Sequence, residues 1–348
     1  MKARIAAASL FILTAACATQ SPAVGTTTVR PAAVVSIDQN EVRRILSSLA
    51  HDSMEGRRTG TAGGKRAATF VAAEMKAIGL APAGDTGYFQ TVPFARGGRR
   101  GIQVLDSMGA LRAVPDSNRI ISYNVLGMIR GSDPALRDQV VVIGAHYDGL
   151  GIGTPAGTDS INNGADDDAS GVTAVLLIAR AISSGPPPRR TMLFMSTTGE
   201  EQGILGTQYY VKHPRFPIAQ MVADMEIEMI GRPDSMAGGA GKAWLTGYDR
   251  STMGEILKGA DIPIVPDPYP QMRFFERSDN IVFARLGIPA HTLSSYNMHA
   301  DYHTPADDIG KIDFAHMTEV IGAAAKAARL LADGVAPVWN QGGRPVAR

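Results

Sequence analysis

Short apolar runs alternate along the chain with segments of helical periodicity. Residues 140–145 and 191–196 are continuous apolar runs, as is typical of strands buried in a parallel or mixed sheet. Further strands are predicted at 222–230, 243–246 and 288–293. Helices are predicted at residues 41–49, 64–78, 171–183, 203–212 and 314–332. This alternation predicts an α/β fold, a three-layer αβα sandwich with a mixed, mostly parallel central sheet.

The first residues of the chain predict targeting rather than folded structure. Lys2 and Arg4 precede an apolar run at residues 5–16, which is shorter than the roughly 20 residues of a membrane-spanning helix. The pattern is therefore that of a signal peptide. Cys17 follows two alanines and resembles the lipidated cysteine of bacterial lipoproteins, although Thr14 replaces the usual aliphatic residue.

We therefore expect a lipoprotein-type signal peptide at residues 1–17 and a flexible tether at 18–36. One folded domain is expected at 37–335, followed by a C-terminal tail at 336–348. The expected location is the bacterial cell envelope, at the outer membrane, with the chain facing the periplasm. The N-terminal lipid is its only expected contact with the membrane. Cleavage at an ordinary small-residue site, which gives a soluble periplasmic or secreted protein, is the alternative.

The single cysteine and the balanced charge restrict the chemistry of the chain. Since Cys17 is the only cysteine in 348 residues, neither a disulfide framework nor a cysteine-based zinc finger can form. Lys and Arg number 34 against 33 Asp and Glu, a formal net charge of +1 without a basic stripe. This balance argues against nucleic acid as a partner. Any metal ion must be held by His, Asp and Glu.

Histidine and carboxylate side chains gather at the ends of the predicted strands. Because active sites of open α/β sheets lie at the carboxyl ends of strands, we expect these side chains to converge. Two imidazoles with several carboxylates suit Zn²⁺, and suit Mn²⁺ or Co²⁺ less well. The candidate residues, in chain order, are His146, Asp148, Asp166, Asp167, Asp168, Glu200, Glu201, Glu226, Glu228 and His303.

In this order, these segments resemble metallopeptidase family 28, the bacterial leucyl aminopeptidases and the related aminopeptidase Y-like two-zinc exopeptidases. The resemblance runs from about residue 140 to 312, and a weaker one in loop 55–61 and the next helix reaches back to about residue 40. It implies a zinc exopeptidase-like domain. It also implies a zinc-dependent aminopeptidase, with two zinc ions per chain, that releases N-terminal residues from peptide substrates.

The resemblance further implies which residues bind the two zinc ions. His146 resembles a ligand of one ion, and Glu201 and His303 resemble ligands of the other. Asp167, which is followed by x-Ala-Ser-Gly, resembles the aspartate that bridges both ions. Glu228 stands where the family often has an aspartate ligand, and a glutamate there can still bind metal.

Three more roles follow from the resemblance. Glu200 resembles the general base, Asp148 the carboxylate that orients His146, and Tyr302 a tyrosine that stabilises the tetrahedral intermediate. The chemistry agrees, since two metals about 3.5–4 Å apart share a carboxylate and bridge a water whose pKa falls towards about 7. Glu200 can take a proton from this water, which leaves a hydroxide nucleophile, and pass the proton to the leaving amine.

Several alternatives stay open. Asp224 and Glu226 lie on the same strand face as Glu228, so either can replace it as the fifth ligand, although Met-Ile-Gly directly follows Glu228. Arg273 and Arg277 are candidates to bind a substrate carboxylate or are simply solvated. The rival functions are a carboxypeptidase- or dipeptidase-like specificity, a one-metal glutaminyl cyclase, and a receptor-like metal-binding domain without catalysis.

Overall fold

The computed structural model describes residues 33–97 and 101–346. The predicted signal peptide with Cys17, and residues 18–32 of the predicted tether, lie outside these ranges and stay predictions. The strands of the described residues are β1 Ala81–Pro82, β2 Phe89–Arg96, β3 Ile102–Val104, β4 Arg119–Ile129, β5 Val140–His146, β6 Gly151–Ala156, β7 Asp159–Asn162, β8 Thr191–Thr197, β9 Met221–Ile227, β10 Ala243–Leu245, β11 Ile264–Pro266 and β12 Ala290–Ser294. The α-helices are α1 Gln39–Leu49, α2 Ala62–Ile78, α3 Met108–Arg112, α4 Gly171–Ser183, α5 Leu205–Lys212, α6 Met253–Gly259, α7 Asn280–Leu286 and α8 Phe314–Asp333.

Most of the strands form one mixed sheet. Its order is β11-β10-β12-β9-β5-β8-β4-β2-β3, and β1 pairs with β4. Strands β12, β9, β5 and β8 run parallel at the centre, and antiparallel pairs flank them on both sides. Strands β5 and β8 are buried at every position, which explains why their sequences are continuous apolar runs. Strands β6 and β7 form a separate hairpin.

Helices cover both faces of the sheet. Helices α1, α2, α4 and α8 pack on one face, and α5 and α7 pack on the other. Helix α1 buries Val42, Ile45, Leu46 and Leu49, whose spacing puts them on one side of the helix. The Asp38 side chain caps this helix by accepting a hydrogen bond from the backbone of its second residue.

The predicted three-layer αβα sandwich with a mixed central sheet is confirmed. Its four central strands are parallel, while most pairings outside them are antiparallel. Each predicted strand and helix is present, with ends that differ by no more than three residues. The sequence did not predict the antiparallel strands β1 to β4 or the β6–β7 hairpin. Most of these strands are short or partly exposed and lack the continuous apolar runs that mark β5 and β8. Strand β4 is the exception, since its second half is an apolar run at residues 125–129 that was not predicted as a strand.

The segment predicted as a C-terminal tail packs against the domain. The indole N–H of Trp339 donates a hydrogen bond of 2.9 Å to the carbonyl of Gly287, and Trp339 pairs with Ser251 in an isolated β-bridge. The part of this segment that the structure describes therefore belongs to the folded domain.

The carboxyl ends of β5, β8 and β9 lie side by side, because these three strands are parallel neighbours. His146 at the end of β5 is in register with Thr197, the last residue of β8, and Gly144 is in register with Glu226 of β9. Residues that follow these strands therefore meet at one edge of the sheet. No helix within the described ranges is sufficiently long and apolar to cross a bilayer.

Candidate metal centre

The predicted metal ligands come from separate segments and meet at this edge. His146 ends β5, Glu201 lies in the turn after β8, and Glu228 directly follows β9. Asp167 lies in the irregular turn that leads into α4. His303 lies in the loop between β12 and α8 and has a positive φ of 61°.

These residues form two groups that share Asp167. In the first group, Nε2 of His146 lies 3.3 Å from Oδ1 of Asp167 and 3.9 Å from Oε1 of Glu228. In the second group, Nε2 of His303 lies 3.1 Å from Oδ2 of Asp167 and 3.2 Å from Oε2 of Glu201. In each group the three possible ligand atoms lie within 4.8 Å of one another. Asp167 thus offers one carboxylate oxygen to each group.

The first group fits a metal ion. The His146 side chain is buried, and its Nε2 atom has no hydrogen-bond partner among the described residues although it faces two carboxylates. A buried polar nitrogen without a partner is costly, and coordination of a cation would remove that cost. Imidazole and carboxylate donors without sulfur match Zn²⁺.

The carboxylates around these groups are crowded and shielded from water. Burial raises the pKa of Asp148 and of Glu228 to about 7. Burial also raises the pKa of Asp168 and of Glu200 well above the usual range, and neighbouring carboxylates add to the effect. A divalent cation at this place would favour the charged forms and lower these pKa values.

In Asp167, His146 and His303 the neighbouring groups favour the charged form instead. Burial disfavours the charged form of Asp167, but the close imidazoles of His146 and His303 hold its pKa below the usual range. Burial likewise opposes the charged form of His303, yet its hydrogen bonds to Asp167 and Glu201 raise its pKa to about 10. Asp167 is therefore the carboxylate around which the positive groups of the site are arranged.

Asp148 contacts His146 differently from the sequence-based expectation. The backbone carbonyl of Asp148 lies 3.1 Å from Nδ1 of His146, whereas its carboxylate lies 3.9 Å away. The carboxylate instead accepts hydrogen bonds from the backbone N–H of Glu200, at 3.1 Å, and from the Thr59 hydroxyl, at 3.2 Å. The structure thus places the Asp148 carboxylate under the turn that carries Glu200, because that N–H lies within its reach.

Glu200 and Tyr302 lie beside the ligand groups and belong to neither of them. Both line a cleft that also reaches Glu228. The Tyr302 ring stacks on His303 with a centroid distance of 3.7 Å. Burial raises the pKa of the Tyr302 phenol, so this side chain keeps its proton and can donate a hydrogen bond.

The structure separates the three candidates for the fifth ligand. Glu228 lies beside His146 and Asp167, whereas Asp224 and Glu226 lie deeper along the same strand face and are buried. Neither of the deeper carboxylates belongs to a candidate metal group among the described residues.

The two arginines weighed from the sequence lie in different places. Arg277 lines the cleft that reaches Glu200 and Glu228. Arg273 lines a separate cleft and forms an ion pair of 2.6 Å with Glu276.

Comparison with known proteins identifies the family of the chain. The sequence model of peptidase family M28 matches residues 124–328, which is more than half of the chain. The chain belongs to peptidase family M28. The resemblance seen in the sequence is thereby confirmed.

One curated relative of this M28 chain is a probable leucine aminopeptidase 2 from Aspergillus fumigatus. It is 27% identical over 255 residues, which cover 71% of this chain and 45% of the relative. The chain spans less than half the length of the curated relatives that it matches.

Solved structures share the fold of this M28 chain. An aminopeptidase from Aneurinibacillus sp. strain AM-1 aligns with a TM-score of 0.62 and 16% identity, over 86% of this chain and 96% of that one. A glutaminyl cyclase from Bacteroides thetaiotaomicron aligns with a TM-score of 0.59 and 15% identity, over 85% and 99% of the two chains. These likenesses show the fold and do not separate the two activities.

Arg57, a residue that the sequence did not single out, holds two segments of the M28 site. It is fully buried, and its guanidinium donates to backbone carbonyls and to no carboxylate among the described residues. Two of these carbonyls belong to Asn163 and Gly164, just before the Asp167 turn, and one belongs to Tyr147, next to His146. In the sequence, Arg57 is marked only by its position in the polar loop 55–61, and this position does not predict its partners.

A second missed residue, Asp307, fixes the same turn from the other side. Its carboxylate accepts hydrogen bonds of 3.0 to 3.2 Å from the backbone N–H groups of Asp166 and Asp167. Arg232 pairs with Asp307 at 3.3 Å and with Asp301 at 2.7 Å. This network ties the Asp167 turn to the loop that carries His303.

Proposed function

We propose that this chain is a zinc-dependent aminopeptidase that releases N-terminal residues from peptides. The observation that carries the proposal is the shared position of Asp167 between two ligand groups, next to a cleft lined by a separate glutamate, Glu200. His146 and Glu228 would hold one zinc ion with Asp167, and Glu201 and His303 would hold the other with it. Zinc bound there polarises a carbonyl group and lowers the pKa of a water molecule.

Glu200 is the proposed general base. It belongs to neither ligand group, its backbone is held by Asp148, and it faces the cleft. Burial raises its pKa, and a base with a raised pKa accepts a proton more readily and can return it to the leaving amine. Tyr302, whose ring stacks on His303, would donate a hydrogen bond to the carbonyl oxygen of the scissile amide.

The proposed preference for a peptide N-terminus rests on charge. Glu200 and Glu228 both line the cleft, so carboxylates are available to hold a free α-amine without a further motif. A carboxypeptidase would need a fixed cation for the terminal carboxylate, and Arg277 lines the same cleft. Peptides with one blocked end therefore decide between the two specificities.

The proposed metal content is two zinc ions per chain. We expect Asp167→Asn to lose both ions, because it removes a negative charge from both groups, and His303→Ala to lose chiefly one. Asp116→Asn, which changes an exposed carboxylate of a surface ion pair, serves as a control and should keep both ions. Elemental analysis of the folded variants gives the result. One tightly bound ion in an active wild-type protein would favour a cyclase-like enzyme.

The proposed role of Glu200 predicts a variant that binds zinc but does not turn over. Glu200→Gln should keep the zinc content and lose activity by about 10²–10⁴-fold, the usual effect of losing a general base. Glu201→Gln, next to it, should instead weaken zinc binding. Steady-state kinetics and metal analysis on the same samples separate the two effects. Near-normal turnover by Glu200→Gln would refute the assignment.

Aminopeptidase specificity predicts how blocked peptides behave. Acylation removes the charge of the α-amine, so an N-acetylated peptide should not be cleaved, while its C-terminally amidated form should be. Chromatographic assay of the free, acetylated and amidated forms of one peptide gives the comparison. The reverse pattern would identify a carboxypeptidase, and zinc binding without cleavage of any form would identify a receptor-like domain.

We also propose that the chain is anchored to the bacterial envelope through Cys17 and faces the periplasm. The support is the short apolar run that ends in small residues before the single cysteine. Stable anchoring needs more than one acyl chain or a second membrane contact. Cys17→Ala should therefore leave the membrane fraction on cell fractionation. A wild-type mature mass that shows cleavage elsewhere and no lipid would overturn this.

A further inference from the structure

We propose that Arg277 binds a carboxylate of the substrate and so selects peptides that carry one close to the scissile bond. The proposal rests on the proposed peptidase function, because it assigns a substrate class to the same cleft. Among the described residues that line the cleft, Arg277 is the one with a positive charge.

The guanidinium of Arg277 is available for a ligand. The side chain is exposed, and no carboxylate of the described residues lies within ion-pair distance of it. Arg273 provides the contrast, since it is paired with Glu276 at 2.6 Å and faces another cleft. Unpaired surface arginines are common, but this one lies on the wall of a cleft that contains the proposed base.

Aromatic contact restrains the orientation of this cation. The Cζ atom of Arg277 lies 5.1 Å from the centroid of the Phe274 ring, which itself stacks on Trp244 at 5.4 Å and packs edge-on against Tyr296 at 5.9 Å. A guanidinium held against a ring loses less freedom when it binds a carboxylate with its planar donors.

Further hydrogen-bond donors line the same cleft. The indole N–H of Trp244 is buried and has no partner among the described residues. The Thr246 hydroxyl accepts from the backbone N–H of Thr292 at 2.9 Å, which leaves its own hydrogen free to donate. The cleft therefore combines acceptors, on Glu200 and Glu228, with a cation and neutral donors, and a ligand with an amine and a carboxylate complements both.

Two parts of a peptide can supply this carboxylate. One is the side chain of an N-terminal Glu or Asp, and the other is the terminal carboxylate of a dipeptide. Both present the same chemistry to Arg277, but they differ in which substrates the enzyme prefers.

Three peptides separate these sources: Leu-Ala-amide, Glu-Ala-amide and Leu-Ala. Glu-Ala-amide and Leu-Ala carry a carboxylate, and Leu-Ala-amide does not. For one of the two carboxylate-bearing peptides, we expect Arg277→Gln to lower kcat/KM relative to that of Leu-Ala-amide by about tenfold, the usual effect of losing a charged hydrogen bond. Arg273→Gln, the matched control, should leave all three values unchanged. A fall confined to Glu-Ala-amide identifies the side chain as the ligand, and a fall confined to Leu-Ala identifies the terminal carboxylate.

Binding of the same peptides to zinc-loaded Glu200→Gln protein, with and without Arg277→Gln, gives a readout that does not need turnover. Calorimetry should show that Arg277→Gln weakens the affinity for the carboxylate-bearing peptide by the same factor of about ten. Failure of the proposed function would appear as absent hydrolysis with this binding preference intact. Unchanged ratios in both assays would overturn the proposal for Arg277.

Discussion

The structure concentrates buried carboxylates at one edge of an otherwise apolar sheet, and the rest of the site depends on how their charge is balanced. Burial raises the pKa of Asp148 and Glu228 to about 7 and also raises that of Glu200 well above its usual range. Asp167, which contacts both histidines, has a lowered pKa instead. A set of carboxylates that the protein leaves short of positive charge favours divalent cations over water.

The position of Asp167 depends on backbone contacts from distant segments. Arg57 holds the carbonyls just before the turn, and Asp307 holds the N–H groups within it. Burial lowers the pKa of Arg57, while the surrounding carboxylates oppose that shift. A fully buried guanidinium that donates only to carbonyls is a demanding arrangement, and here it fixes the turn on which both ligand groups depend.

The central strands and the residues at their ends could be predicted from the sequence, because burial on both faces requires continuous apolar runs and parallel strands end at one edge. The contacts of Arg57 could not be predicted from the sequence, since its partners are backbone carbonyls that any residue at positions 49, 147, 163 and 164 would provide. For a similar reason, the sequence could not predict that the Asp148 carboxylate accepts a hydrogen bond from the backbone N–H of Glu200 rather than contacting His146. Side-chain direction at a strand end depends on the loop, and residue spacing does not encode it.

The three candidates for the fifth ligand differ in their depth along one strand, which side-chain periodicity alone does not distinguish. Asp224, Glu226 and Glu228 share one face, but Glu226 lies opposite Gly144, where a Cβ would collide with its carboxylate. Glycine at 144 thus makes room for a buried acid below the site. Burial raises the pKa of Asp224 and Glu226 well above the usual range, and a neutral acid is a poor metal ligand. Glu228, just beyond the strand, is the carboxylate of the three that reaches His146 and can be neutralised by a metal ion instead of a proton.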